Sequence, residues 1–168
     1  VDAVAVEAAA DRIRGAALVV LDGNLPPDTV VQAAPFAQVV LVHAQAGELA
    51  RLFSHASQVA QGGHAMWQVA PRPLLLCDDR REGLTHAYTA LKLLAQRASW
   101  RAFDLLMCAG AHSDRAEAVA QRLGQCADQF LACVLRRAVR VDPAEPAARA
   151  PSQALQDLVG ELLAAAEP

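Results

Sequence analysis

The residues that could do chemistry fall where short apolar runs stop. His43 follows Val39 to Val42, with Ala46 and Gly47 just beyond it. Asp22-Gly23-Asn24 follows AALVVL (16–21), and Asp78-Asp79-Arg80-Arg81-Glu82 follows PLLLC (73–77). Cys108 to His112 closes FDLLMC (103–108). The chemistries to weigh are metal ligation, nucleophilic catalysis and phosphate binding. The histidines at 43, 55, 64, 86 and 112 share no metal-ligand spacing. Cys77, Cys108, Cys126 and Cys133 form no CxxC pair. No Ser-His-Asp set assembles, and the GxxxxGK[ST] phosphate loop is absent, since Gly62-Gly63 lacks the Lys and Ser/Thr that would complete it. No catalytic residue and no metal site is expected. Asp22-Gly23-Asn24 reads most simply as a turn and Asp78 to Glu82 as a solvated loop entering a helix.

The bulk numbers narrow the class. A chain of 168 residues suffices for one domain with a substantial core. Hydrophobic residues make up 54% but aromatics only 4%, so that core must be Ala, Leu and Val. With 15 basic and 18 acidic residues and no basic block, a nucleic-acid groove is not expected. Apolar runs fall well short of the roughly 18 residues a membrane span needs, so a soluble protein is expected. Cys77 and Cys108 close apolar runs, where buried free thiols are common, and a reduced, cytoplasmic setting follows. The chain opens at Val1 with neither an initiator Met nor a signal-peptide pattern. It reads as processed or as a piece of something longer.

The elements that must position these residues alternate. Continuous apolar runs at 16–21, 38–42, 73–77 and 103–108, with a weaker one at 130–135, predict strands buried on both faces. Between them, Leu49, Leu52, Phe53, Ala56 and Ala60 form one helical stripe, and Leu84, Ala87, Tyr88, Leu91 and Leu94 another. Ser113 is a predicted N-cap for a helix whose apolar face is Ala116, Val119, Ala120 and Leu123. A terminal helix spans 153–166, and the Pro- and Ala-rich stretch 142–151 is an ordered connector. The expected fold is α/β: three layers, a mostly parallel sheet with helices on both faces, in a single domain over 1–168. Ligands would then gather at the carboxyl ends of the strands.

The order of motifs resembles the MinD/ParA-type P-loop ATPases, in particular the flagellar-number regulator branch (FlhG/FleN). LLLCDDRREGLTHAYTALKLL (74–94) is similar to a strand, a TTPEP-like turn and a helix reading LTDAYALIKLL. Leu84, Thr85, Ala87, Tyr88, Leu91, Lys92, Leu93 and Leu94 fit in register, while Cys77 and Asp78 stand where the two threonines would fall. VVLVHAQAGELARL (39–52) looks like the Walker B and switch II region, commonly VLVDxxAG. Ala46 and Gly47 match, and His43 occupies the place of the acidic residue. That aspartate organises the Mg²⁺ shell and the attacking water in the family. A neutral imidazole is a poor ligand for a cation that prefers oxygen.

Farther on, FDLLMCAGAHSDRAEAVAQRL resembles a strand and helix of the form LVVNxxxSxxEAxxxxxRL, with Ser113, Ala116, Glu117, Ala118, Arg122 and Leu123 in place. Cys108 replaces the asparagine that contacts the adenine edge, and a thiol cannot offer a paired donor and acceptor. LRRAVR (135–140) and PAARA (146–150) fit the family's tail with a shorter spacing. The resemblance covers roughly residues 39–166.

The resemblance implies a partial MinD-like fold, the C-terminal two-thirds of such a domain. It makes His43, Ala46, Gly47 and Cys108 the family-equivalent nucleotide positions, in degenerate form. ATP and Mg belong to the family, and neither is expected here. The implied function is regulation of flagellar number or placement, or related cell-pole or division-site positioning, through protein partners and without ATP hydrolysis. The alternative is an active ATPase fragment whose phosphate loop lies upstream of Val1. A nucleotide-dependent dimer is not expected. Nor is membrane binding: the terminal helix has an apolar face (Leu155, Leu158, Val159, Leu162, Leu163), but its polar face carries Asp157, Glu161 and Glu167 with no Lys or Arg.

Overall fold

A computed structural model describes residues 18–22, 39–60, 71–146 and 150–164. The chain divides into two compact units, one of 1–70 with 163–168 and one of 71–162.

In the first unit, β1 (Leu18–Asp22) and β2 (Val39–His43) pair in parallel, with Asp22 in register with His43. Helix α1 (Ala46–Ala60) follows after only Ala44 and Gln45. It begins three residues before Leu49, the first residue of its apolar stripe, for a local reason. Glu48 accepts the Gln45 backbone N–H at 2.8 Å, and the Gln45 carbonyl receives the N–H groups of Glu48 and Leu49, each at 3.0 Å. This is the reciprocal half of a capping box, and it draws Ala46 and Gly47 into the first turn. Among the residues of this helix whose burial is described, Ala50 and Leu52 are buried.

The second unit runs β3 (Leu74–Asp78), α2 (Arg81–Arg97), β4 (Ala102–Cys108), α3 (Asp114–Leu131), β5 (Val134–Val141) and α4 (Gln153–Ala164) as far as Leu162. Its sheet is parallel in the order β3-β4-β5. The α/β class with parallel sheets is therefore as the apolar runs suggest. Register puts Leu75, Cys77, Leu105 and Met107 on one face, all buried, and Leu74, Leu76, Asp104 and Leu106 on the other. Leu135 pairs with Phe103 on the first face and lies under α3, where a Cβ on Gly124 would sit 3.9 Å from it. Helices α2 and α3 pack together over that face, with Ala87, Leu91, Leu94, Ala120, Leu123 and Ala127 as their inward residues.

The last strand departs from expectation. Phe130 and Leu131 end α3, and β5 runs over 134–141, with alternating rather than continuous burial. An edge strand has no second neighbour and less cover, so it does not need an unbroken apolar run. The turn before it is tight. Ala132 adopts the left-handed conformation (φ 50°), and the Cys133 N–H reaches back to the Ala127 carbonyl at 3.1 Å, so a left-handed residue closes the helix.

Candidate functional site

The carboxyl ends of β3, β4 and β5 lie side by side, with Asp78 next to Cys108 and Cys108 next to Val141. Three loops leave this edge, and their polar groups bond to one another. Asp78 accepts the Arg80 N–H at 3.2 Å, turning the chain into α2. The next turn passes so close that a Cβ on Gly83 would fall 2.8 Å from the Asp78 carbonyl oxygen and nearer still to its carboxylate. Asp79 accepts the Ser113 hydroxyl at 2.5 Å, joining the β3 and β4 loops. Asp142, just past β5, accepts the N–H of Ala111 at 3.0 Å and of Ala144 at 2.9 Å. It thereby pins the β4 loop to its own.

Ser113 is the N-cap of α3 by backbone position, but its hydroxyl does not cap the helix. The bond to Asp79 takes it instead, and Asp114 and Glu117 supply the negative charge in the first turn. Above the edge lies an open cleft of about 620 Å³, bounded by Gly110 to Ser113 on one side and by Asp142 and Ala144 to Pro146 on the other. The two thiols beneath are poor nucleophiles. Burial, reinforced by Asp78, Cys108 and Asp79, pushes the Cys77 thiol up to about 11. Burial and then Asp78 raise Cys108 as well. Both stay protonated near neutrality, and only a thiolate attacks. All four cysteines are free.

His43 is the last residue of β2 and is exposed. Ala46 and Gly47 open α1, Gly47 with open space where a Cβ would be. These three share one strand end in the first unit, with Asp22 as the register neighbour of His43. Cys108 is half-buried at the corresponding end of β4 in the second unit. Gly23, Asn24 and the Gly62-Gly63 pair lie outside the described residues. Among the described residues, no group of three or more His, Cys, Asp or Glu is placed to hold a metal ion, and no helix is long and apolar enough to cross a membrane.

Two features escape a motif reading. Asp104, in the middle of β4, is 1% exposed. One of its carboxylate oxygens lies 2.9 Å from Arg136 and 3.5 Å from Arg72; the other, Oδ1, has no hydrogen-bond partner. A bulge opposite Phe103 and Asp104 lets two successive arginines serve one side of the sheet. Arg136 turns to Asp104, and Arg137 pairs with Glu161 of α4. Arg72 also donates to the Glu161 carbonyl at 2.9 Å, so α4 is held to the face opposite α2 and α3. The signal for this network is a lone acid inside FDLLMC and the Arg-Arg pair of LRRAVR. The second feature is a groove on the outer side of α2 and α3, lined by Arg81, Arg115 and Arg122. Those arginines are scattered in the sequence and converge only once the helices pack.

Comparison with protein-family models, with curated proteins and with solved structures found no match to this chain in any of the three.

Proposed function

We propose that this chain is a degenerate MinD/FlhG-like protein that regulates flagellar number or placement, or a related cell-pole or division-site positioning, through protein contacts and without ATP hydrolysis. The finer fold reading, a partial MinD-like P-loop NTPase with helices on both faces, belongs to the same proposal. So does its setting in the cytoplasm, among proteins of the flagellar or cell-positioning machinery.

The observation that carries it is how the strand-end polar groups are spent. Asp79 and Ser113 bond to each other, Asp142 holds two backbone N–H groups, and Asp78 holds a third. These bonds lock three loops together at the edge where an open α/β sheet would otherwise present them to a ligand. A rigid edge of this kind suits a scaffold. It suits poorly a nucleotide switch, whose loops must rearrange between states. The exposed imidazole of His43 at the Walker B position and the protonated thiol of Cys108 at the adenine position agree with that reading.

Isothermal titration of the full-length gene product with Mg-ATP is the direct test. No binding at micromolar nucleotide is expected. A micromolar dissociation constant would overturn the proposal in favour of an ATPase whose phosphate loop lies upstream of Val1. Flagellar counts by electron microscopy in a deletion strain test the biological half, and an unchanged count and position would remove the flagellar assignment.

A further inference from the structure

Leu84 and Val119 belong to the apolar stripes of their helices, yet both are only half-buried and line a groove of about 420 Å³ between α2 and α3. Three exposed arginines stand around it: Arg81 in the first turn of α2, and Arg115 and Arg122 on α3. Thr85 lies beside Leu84, and Asp79 closes one end with its Oδ2 already engaged by Ser113. Among the described residues, none of the three guanidiniums makes an ion pair. The lining thus carries three cations against one anion, while the chain as a whole carries a net charge of −3. The first turns of the two helices carry Glu82, Asp114 and Glu117, which offset the partial positive charge of their amino ends, so the attraction comes from the three guanidiniums.

The spacing says what fits. Arg115 and Arg122 are seven residues apart, two turns of one helix face, with Val119 between them. Their Cα atoms stand about 10 Å apart along the axis. The groove therefore offers cation, apolar floor, cation in a row. An amphipathic helix with a carboxylate at i, an apolar side chain at i+4 and a carboxylate at i+7 presents the complement at the same pitch. We infer that this groove docks an acidic amphipathic helix of a partner protein.

Other anions match less well. Free phosphate favours converging, preorganised donors, whereas these guanidiniums are exposed and spread along a ridge with apolar side chains between them. Nucleic acid is favoured by an extended basic surface, and here the cations number three beside Asp79. The inference rests on the reading that the protein works through protein contacts, and it specifies the chemistry of one such contact.

The test uses the full chain and a fluorescein-labelled, alanine-based helical peptide carrying Glu, Leu and Glu at i, i+4 and i+7. Fluorescence anisotropy measures affinity, and amide shifts in ¹⁵N spectra locate the contact. Binding is expected to shift residues 81–85 and 115–122. R115E/R122E should weaken it by roughly tenfold or more, and about 0.5 M salt should weaken it too, as for rim charges. R115K/R122K, which keeps the charge, should stay within a few-fold. The decisive arm is charge exchange: R115E/R122E should gain binding to the same peptide with Lys in place of Glu. Circular dichroism of each variant confirms that it is folded.

The inference fails if the acidic peptide does not bind the unmodified chain, or if R115E/R122E binds it equally well. It fails also if a single-stranded oligothymidylate or inorganic phosphate produces the same shifts more tightly, which would make the groove a nucleic-acid or free-phosphate site. The Mg-ATP titration is independent of these outcomes. Loss of peptide binding without nucleotide binding removes the docking surface alone.

Discussion

Asp104 is the residue on which the second unit's polar interior turns. A carboxylate 1% exposed is tolerable only because Arg136 and Arg72 share one oxygen, and its Oδ1 still lacks a partner. Asp104→Ala should cost about 2–4 kcal/mol in urea unfolding, since it strands the Arg136 head and leaves Arg72 only its bond to the Glu161 carbonyl, each head able to turn partly to water. Asp104→Leu should cost less, because it fills the volume the carboxylate vacates. Gly83 makes a second residue-scale test. Gly83→Ala drives a methyl into Asp78 and should destabilise by about 1–3 kcal/mol. Gly160→Ala, on α4 with nothing within 4 Å, should instead stabilise by up to about 1 kcal/mol. The raised thiol of Cys77 predicts a pH dependence whose sign is definite. Between its ordinary value of 9.0 and about 11, the unfolded chain releases the proton while the folded chain keeps it. The unfolded state therefore binds fewer protons, and stability present below pH 9 is lost as pH rises toward 11. Urea midpoints measured from pH 8 to 11 should fall more steeply for the unmodified chain than for Cys77→Ala.

At the scale of elements, the sequence reads best where an apolar run is continuous. Among the described strands only β4 has a strand on each side and is covered on both faces; β2 and β3 are edges of their sheets, and Leu41 and Leu76 stand exposed where two-sided burial is expected. Even so, β2, β3 and β4 fall within a residue of their apolar runs. β5 does not, because an edge strand can carry arginines at successive positions and use a bulge to direct them. Helix stripes are legible to within one position. The inward row of α2 includes Gly83, Ala87, Leu91 and Leu94, and this leaves Leu84 and Tyr88 at the margin. A stripe over 100° wide contains more residues than the sheet can cover, and only the crossing of α2 with α3 decides which stay outside. The α3–β5 turn carries its own prediction. Ala132 sits at φ 50°, which a side chain disfavours, so Ala132→Gly should raise stability by about 1 kcal/mol in thermal unfolding despite glycine's greater unfolded entropy.

On the scale of the molecule, charge is unevenly spread: a net −3 overall, with three exposed arginines gathered beside one groove. With an isoelectric point near 5.9, solubility should fall as pH is lowered from 8 and pass through a minimum close to that point on the way to pH 5, measurable by turbidity at fixed protein concentration. A minimum well above pH 7 would contradict that charge balance. The functional proposal also belongs to this scale, because it concerns what the strand ends do together. His43 is visible in the sequence as an imidazole at a strand end. Its exposure, and its pairing in register with Asp22, come from the β1–β2 ladder.

Apolar periodicity by itself determined the α/β alternation, the parallel pairing and the inward residues of most elements. Local chemistry also marked the strand-end residues, since Asp, Gly, His and Ser stand out where apolar runs stop. The bonds among those ends were decided by the tertiary structure: Asp79 to Ser113, Asp142 to Ala111, Arg136 to Asp104, each spanning more than 30 positions. Hydrophobic burial is a property of each residue's own surface, so it is written into composition and spacing. A hydrogen bond between distant side chains depends on the register of one strand against the next and the crossing of one helix over another. No short stretch of sequence contains that information. The arginine groove has the same origin: its cations come from two helices, and only their packing makes them a site.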